Sequence, residues 1–125
     1  MDILDFVEEY QGKKVDYDRT YGPQCVDLFR MWCEKNDVPR TPPVTGAKDI
    51  WDKPGTLKKR DAGKLEPNDA LIYAATKTNP YGHVCLLVEK HGNKLIVFEQ
   101  DGFKQDGAKL VLRNTDNLLG ALYAG

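Results

Sequence analysis

The sequence has no long apolar run, almost no excess of charge of either sign, and few cysteines. No stretch approaches the roughly 18 consecutive apolar residues that suggest a membrane span, so none is expected. The 18 basic and 19 acidic residues nearly cancel, which argues against nucleic-acid binding through bulk charge. The three cysteines are an odd number and follow neither a disulfide framework nor a zinc-site spacing. Together these absences argue against a membrane-spanning protein, a strongly basic nucleic-acid-binding protein, and a small protein held together by disulfides or zinc.

The N-terminus also lacks a recognisable targeting signal. Residues 1–6 are acidic and have neither the basic start nor the apolar core of a signal peptide. We therefore expect the chain to be made in the cytoplasm without a signal peptide. Its 125 residues, of which 41% are apolar, are enough for one globular domain spanning 1–125.

The hydrophobic pattern changes period along the chain. Apolar residues recur at helical spacing in 2–10 and 23–36, which predicts two amphipathic helices. A proline-rich connection, 37–68, follows, with one short helix expected around 47–51. Short apolar or β-branched runs then lie at 69–75, 82–90, 94–100, 109–112 and 118–123. These features predict an α+β fold in which N-terminal helices pack on an antiparallel β-sheet of about five to six strands, with consecutive strands paired as a meander.

A candidate nucleophile lies at the start of the second helix. Cys25 is in its first turn, where the partial positive charge and free N–H groups of a helix N-terminus favour a thiolate. The same backbone amides, with the Gln24 side chain, are suited to hold a developing oxyanion. A nucleophilic thiol also needs a base, and His83 opens an apolar strand. Glu99, which ends another apolar strand, is the candidate for orienting that base.

The hairpin between residues 83 and 99 tests this arrangement. A three-residue loop, 90–92, places His83 directly opposite Glu99. A two-residue turn at 92–93 instead pairs Glu99 with Leu86 and points its carboxylate away from His83, unless a β-bulge intervenes. The sequence alone allows both registers.

Three segments together resemble the CHAP domain, the cysteine, histidine-dependent amidohydrolase/peptidase module of phage lysins and bacterial cell-wall hydrolases. They are Tyr21-Gly22-Pro23-Gln24-Cys25-Val26-Asp27-Leu28, Gly82-His83-Val84 and Glu99-Gln100-Asp101. Asn68-Asp69-Ala70-Leu71-Ile72 also resembles the strand that precedes the histidine in that family. The resemblance covers residues 5–123 and implies a papain-like fold.

The resemblance implies a role for each candidate residue. Cys25 is the nucleophile, His83 the general base and Glu99 the orienting residue. The implied substrate is bacterial peptidoglycan, cut either at the muramoyl–alanine amide or at a peptide bond of the stem or cross-bridge. The implied source is a phage, with a lysin that reaches the wall through a holin or on a virion. No organic cofactor is implied, and a monomer is the expected state.

An acidic loop precedes the nucleophile. Asp16, Asp18, Thr20 and Gly22 alternate along it, and Asp27 follows Cys25 by two residues. Alternating carboxylates and carbonyls resemble the first part of a calcium-binding loop, although the full EF-hand spacing is missing. Some calcium-dependent CHAP lysins carry a similar pattern, which implies a structural calcium ion held by these five residues. The alternative is a solvated turn whose acids cap the helix.

Other interpretations remain open at this stage. The chain could be a catalytically silent CHAP-like module that binds cell wall or a partner protein. It could also be a thiol hydrolase or transferase that acts on a different small amide. Asp101, which replaces an asparagine common in the family, has no assigned role. Cys85 shares a strand face with His83 and is expected to be a small core residue.

Overall fold

The computed structural model describes all 125 residues, and its helices precede most of its strands. The α-helices are α1 (Ile3–Tyr10) and α2 (Cys25–Lys35), and short 3-10 turns occur at Ala47–Trp51 and Ala62–Lys64. The strands are β1 (Lys58–Arg60), β2 (Ala70–Tyr73), β3 (His83–His91), β4 (Lys94–Glu99), β5 (Lys109–Arg113) and β6 (Leu118–Tyr123). Neither α-helix has the length and apolar character needed to cross a bilayer.

The six strands form one antiparallel sheet in the order β1-β6-β2-β3-β4-β5. The run β2 to β5 is the predicted meander. Two features depart from the sequence prediction. β6 returns to pair with β2 rather than with β5, and β1 forms inside the connection 37–68, where no strand was expected. Both departures arise from pairing between distant segments, which local periodicity does not reveal.

The helices cover one face of the sheet. Phe6 and Leu28 from the helices join Phe98 and Ile72 from the strands in a core of 20 buried residues. The rings of Phe6 and Phe98 meet edge to face with their centroids 6.0 Å apart. Burial of these side chains supplies the main driving force for packing α1 and α2 against the sheet. The start of α2 is thereby held above the strand ends.

The opposite face of the sheet carries a second, smaller core of eight buried residues. Leu71, Cys85, Leu87 and Val97 belong to it. Strand residues therefore alternate between two apolar environments rather than between core and water, which explains why β2 and the first half of β3 read as continuous apolar runs. Both faces contribute to the region around the end of β4.

One glycine fixes the entry to β3. Gly82 has φ of +71°, and a Cβ atom there would lie 2.4 Å from the backbone oxygen of Tyr73. Any side chain would therefore clash with β2 and strain the backbone. The glycine allows His83 to pair directly with Tyr73 at the first rung of the ladder.

Candidate functional site

A cleft of about 1030 Å³ opens at the ends of α2, β3 and β4. Cys25, His83 and Glu99 all line it. The three residues come from three different elements, so their convergence is a property of the fold rather than of local sequence. The structure thus brings together the three residues for which catalytic roles were predicted from the sequence.

Cys25 is the first residue of α2 and is only half-buried, whereas the other two thiols lie in the cores. Burial raises the pKa of Cys33 to about 12. Burial likewise raises the pKa of Cys85 well above the ordinary value for a thiol. Both buried thiols are therefore protonated and inert near neutral pH. Cys25 is the thiol that combines access to the cleft with a helix N-terminus.

His83 lies between the thiol and the carboxylate, with 13% of its side chain exposed. Its Nε2 atom is 3.1 Å from Oε1 of Glu99. The oxygen lies off the N–H direction, so the contact is a close ionic one rather than a well-aligned hydrogen bond. The Cys25 thiol lies close enough to the same ring to raise the pKa of His83.

The β3–β4 hairpin explains how Glu99 reaches His83. It has the two-residue turn, with His91 opposite Lys94, and then a β-bulge at Val88 that shifts the register by one residue. Beyond the bulge, Leu86 pairs with Phe98 rather than with Glu99. The bulge restores Glu99 to the sheet face of His83, so the alternative that the sequence left open, a two-residue turn with a bulge, is the one observed.

Charges in the site shift two pKa values in opposite directions. Burial by itself lowers the pKa of His83, but contacts with Cys25 and Glu99 outweigh it and raise the value to about 9. Burial alone raises the pKa of Glu99, but Arg113 and His83 outweigh it and lower the value to about 2. Near neutral pH the site therefore holds an imidazolium beside a carboxylate.

Gln24 is the N-cap of α2 and lines the cleft. Its backbone N–H donates to Oδ2 of Asp27 at 2.9 Å, which caps the helix start. The Gln24 side chain forms no cap of its own. Its amide, together with the free N–H groups of the first turn, is therefore available to a ligand in the cleft.

The acidic loop brings three carboxylates together. Ligand oxygens of Asp16, Asp18 and Asp27 lie within 4.8 Å of one another. Oδ1 of Asp16 is buried without any hydrogen-bond partner. Burial raises the pKa of Asp27 to about 6, and the negative charge of Asp18 adds to this increase. An orphaned buried oxygen among converging carboxylates fits a hard cation with oxygen ligands, as calcium is.

The remaining members of the predicted calcium set lie on the same loop. The N–H and the hydroxyl of Thr20 both donate hydrogen bonds to Asp18. The Thr20 carbonyl accepts no hydrogen bond, so it is free to bind a ligand. Gly22 has φ of +76° and packs against the Gln105 side chain. Their service as carbonyl ligands stays a prediction. Asp27 also accepts a hydrogen bond from the N–H of Asp18 at 3.4 Å, so the loop and α2 are joined through its side chain.

Two residues whose roles the sequence left open are now placed. The Cys85 sulfur lies within 4.8 Å of the ligand atoms of His83 and Glu99, and its side chain belongs to the smaller core. Oδ1 of Asp101 accepts hydrogen bonds from the N–H groups of Phe103 and Lys104 and so caps the turn after β4. That bonding gives Asp101 a structural role.

Two residues important to the site were missed from the sequence. Arg113 donates two hydrogen bonds to Glu99. Gln100 is fully buried and joins three backbone groups, the N–H and C=O of Val15 and the C=O of Gln24. The need for a residue such as Arg113 was predictable, because a buried carboxylate requires a cation. Strand alternation also places Gln100 on the helix side with Phe98.

The rim of the cleft carries exposed aromatic side chains. Tyr21 is 83% exposed, Phe103 70% and Tyr81 52%, and all three line the cleft. The cleft is also lined by residues from the loops at 46–47 and 74–82 and from the segments 101–103 and 112–117.

A scan against protein-family models and a search of curated proteins find no match to this chain. Solved structures do match. The wild-type endolysin LysIME-EF1 superposes with a TM-score of 0.79 at 21% identity, over 97% of this chain and 62% of that chain. Ly7917 with the hydrolyzing product of MDP gives 0.63 at 19% identity, over 79% of this chain and 52% of that one. A second Ly7917 structure gives 0.62 at 18%.

These matches establish the fold. The predicted α+β architecture, with N-terminal helices packed on a six-stranded antiparallel sheet, is confirmed as a lysin-type, papain-like fold. The likeness to two lysins agrees with the resemblance of the sequence to CHAP domains. The chain spans less than two thirds of the length of either structure.

Proposed function

We propose that this chain hydrolyses an amide bond of bacterial peptidoglycan, with Cys25 as the nucleophile. The observation that carries the proposal is the convergence of Cys25, His83 and Glu99 in one open cleft. A half-buried thiol at a helix N-terminus beside an imidazole is the arrangement that nucleophilic acyl transfer needs. The fold shared with two lysins supports the cell wall as the site of action.

The first half of the reaction forms a thioester. The Cys25 thiol first gives its proton to His83, and the resulting thiolate attacks the amide carbonyl carbon. The carbonyl oxygen takes up negative charge beside the N–H groups at the start of α2 and the Gln24 side chain. The C–N bond then breaks, and His83 gives its proton to the leaving amine.

The second half releases the acid product. His83, now neutral, removes a proton from a water molecule whose oxygen attacks the thioester carbonyl. The carbon–sulfur bond breaks, the sulfur leaves as a thiolate, and the proton that His83 took from the water restores the starting pair of Cys25 and His83. Glu99 stays beside Nε2 of His83 and orients the ring throughout. Either the muramoyl–alanine amide or a stem or cross-bridge peptide bond fits this chemistry.

A calcium ion bound by Asp16, Asp18 and Asp27, with the carbonyls of Thr20 and Gly22, belongs to the same proposal. The ion would supply positive charge that offsets the repulsion among the three carboxylates. Because Asp27 lies on the Cys25 helix and accepts from the N–H of Asp18, the loop would be fixed to the turn that aims the thiol. The residues of this loop have a structural role in the proposal and do not contact substrate.

The proposal is tested by incubating purified cell walls of several chemotypes with wild type, Cys25→Ala, His83→Ala and His91→Ala. His91 is the matched control, because its side chain is 64% exposed and it lies at the opposite end of β3 from His83. We expect Cys25→Ala to be inactive and His83→Ala to lose roughly 100- to 10,000-fold of the rate, with His91→Ala unchanged. Mass spectrometry of the released muropeptides identifies the bond.

The opposite results are equally clear. Wall clearance by Cys25→Ala at the wild-type rate excludes the thiol mechanism. No clearance by wild type on any chemotype favours the silent, wall-binding module. Activity on a small amide without wall lysis indicates a different thiol hydrolase. The reaction is expected outside the cytoplasm, after release through a holin or on a virion, by a monomer.

A further inference from the structure

Glu99 is held by an arginine from the far end of the neighbouring strand. Nη2 of Arg113 donates to Oε2 of Glu99 at 2.7 Å, and Nε of Arg113 donates to Oε1. Oε1 is also the oxygen that lies 3.1 Å from Nε2 of His83. One carboxylate oxygen is therefore shared between the guanidinium and the imidazole, and the other is bound by the guanidinium. This bidentate geometry fixes the plane of the carboxylate.

Glu99 is not bound by the basic residue that lies opposite it on β5. Lys109 pairs directly with Glu99 across β4 and β5, whereas Arg113 pairs with Leu95, four residues away along the strand. Lys109 nevertheless binds Asp106 at 3.0 Å instead. The Arg113 side chain must run along the sheet to reach Glu99. A surface ion pair formed by simple proximity would have used Lys109.

Arg113 is itself held in place by Tyr73. The guanidinium lies 5.8 Å from the centre of the Tyr73 ring. The Tyr73 hydroxyl donates to the backbone oxygen of Asn114 at 2.8 Å, which fixes the end of β5. The same tyrosine is the ladder partner of His83, with ring centroids 6.5 Å apart. His83, Tyr73, Arg113 and Glu99 thus form a closed ring of contacts.

We propose that Arg113 is a positioning residue for His83, acting through Glu99 in two ways. It holds the carboxylate in the one orientation that meets Nε2, and it offsets part of the negative charge that the imidazole experiences. The inference rests on the proposed thiol-hydrolase function for its kinetic part. The ionisation of His83 is measured without substrate, so the two proposals fail independently.

The groups that face His83 determine the expected direction of change. They are Cys25 from α2, Tyr73 from β2, Cys85 on its own strand, Glu99 from β4 and, behind Glu99, Arg113 from β5. Removing the guanidinium charge leaves the Glu99 carboxylate uncompensated. A carboxylate beside an imidazole favours the protonated ring, so the pKa of His83 should rise further.

The chain contains only two histidines, His83 and His91, which makes the titration directly readable by NMR of the imidazole resonances. In Arg113→Gln we expect the His83 pKa to rise by about one unit. His91 serves as the internal reference, because it is exposed and paired with Glu89. Lys109→Gln removes the same charge from the same strand without touching Glu99 and should leave both titrations unchanged.

Turnover of a soluble muropeptide distinguishes the two effects of Arg113, which are the orientation of the Glu99 carboxylate and the supply of positive charge. Arg113→Lys keeps a positive charge but cannot bind both carboxylate oxygens. We expect it to lower kcat roughly 10- to 100-fold, as loss of a group that orients a functional side chain typically does, with little change in KM. Its His83 titration should stay near that of wild type. This variant also serves if Arg113→Gln does not fold.

A double-mutant cycle shows whether Arg113 acts through Glu99. In a Glu99→Gln background, Arg113→Gln should lower kcat little further, because the group through which it acts has already been neutralised. Independent losses in the cycle overturn the inference. So does a His83 titration unmoved in Arg113→Gln, or wild-type turnover in Arg113→Lys. In those cases the ion pair would only stabilise the end of β5.

Discussion

Replacing Gln100 by methionine should destabilise the protein through two backbone groups. Methionine has nearly the same length as glutamine but no amide. The amide of Gln100 accepts from the N–H of Val15 at 2.7 Å and donates to its carbonyl at 2.9 Å, and both residues are buried. A third bond, to the carbonyl of Gln24 at 2.9 Å, matters less because that carbonyl also accepts from the N–H of Asp27.

The expected loss follows from this count. Two buried backbone groups lose their only partner, and each such group costs about 1–3 kcal/mol. The free energy of unfolding should therefore fall by roughly 2–6 kcal/mol in Gln100→Met. Gln105→Met is the matched control, since its exposed amide makes one bond, to the carbonyl of Tyr21. We expect the control to change stability by less than about 0.5 kcal/mol.

Urea denaturation followed by tryptophan fluorescence measures both variants, and the slope of the transition shows whether the unfolding remains two-state. Equal midpoints for Gln100→Met and wild type would refute the reasoning, because buried backbone groups would then have found other partners. Turnover measured below the transition adds a second result. Gln100 anchors both Val15, at the start of the acidic loop, and Gln24, which precedes Cys25. Folded Gln100→Met should therefore be slower than folded Gln105→Met.

Three further predictions concern pH, metal and substrate. The pKa of His83 in the folded protein is raised to about 9, so its contribution to stability is complete below about pH 6.5 and is lost as the pH rises through 9. The pKa of Glu99 in the folded protein is lowered to about 2, so its contribution is complete above about pH 4.5 and is lost as the pH falls through 2. Urea midpoints should therefore decline from pH 6.5 to 9.5, and a flat profile contradicts the ionic contact. Chelation should lower both the melting temperature and the rate of wall lysis, and calcium should restore both better than magnesium. In Asp16→Ala, neither chelator nor calcium should change them. A melting temperature that the chelator does not change refutes the cation site. Tyr21→Ala and Phe103→Ala should raise KM severalfold with little change in kcat, since both aromatic side chains stand exposed at the cleft rim; unchanged KM in both excludes the rim from substrate binding.

The sequence predicted the elements better than their connections. The helices and the four strands of the meander follow from apolar periodicity, and their bounds differ from the prediction by one or two residues at most ends. The position of β6 beside β2 does not follow, because it depends on pairing across about 45 intervening residues. The short β1 is polar on its surface, with Lys58 and Lys59 exposed, and has no apolar pattern to detect.

The same distinction applies to the site. Cys25, His83 and Glu99 were proposed from the sequence because each has a reactive group and lies in a recognisable motif. Arg113 and Gln100 act through geometry, since one reaches across a strand and the other joins two loops. Neither position is unusual in its own segment. Such residues can be found only by asking which group pairs with a buried carboxylate or with a buried backbone amide.

The bulge at Val88 has a consequence for the length of the hairpin. Leu87 lies opposite Val97 and Glu89 lies opposite Ile96, so Val88 is the one residue between them without a partner of its own on β4. Deleting Val88 would therefore leave residues 83–87 in the same register with β4 and keep His83 and Glu99 on a common face. A single residue inserted between 83 and 87 would instead turn His83 to the opposite face from Glu99, unless a second bulge absorbed it. Natural and engineered variants of this hairpin should therefore tolerate the loss of residue 88 better than the gain of a residue between 83 and 87.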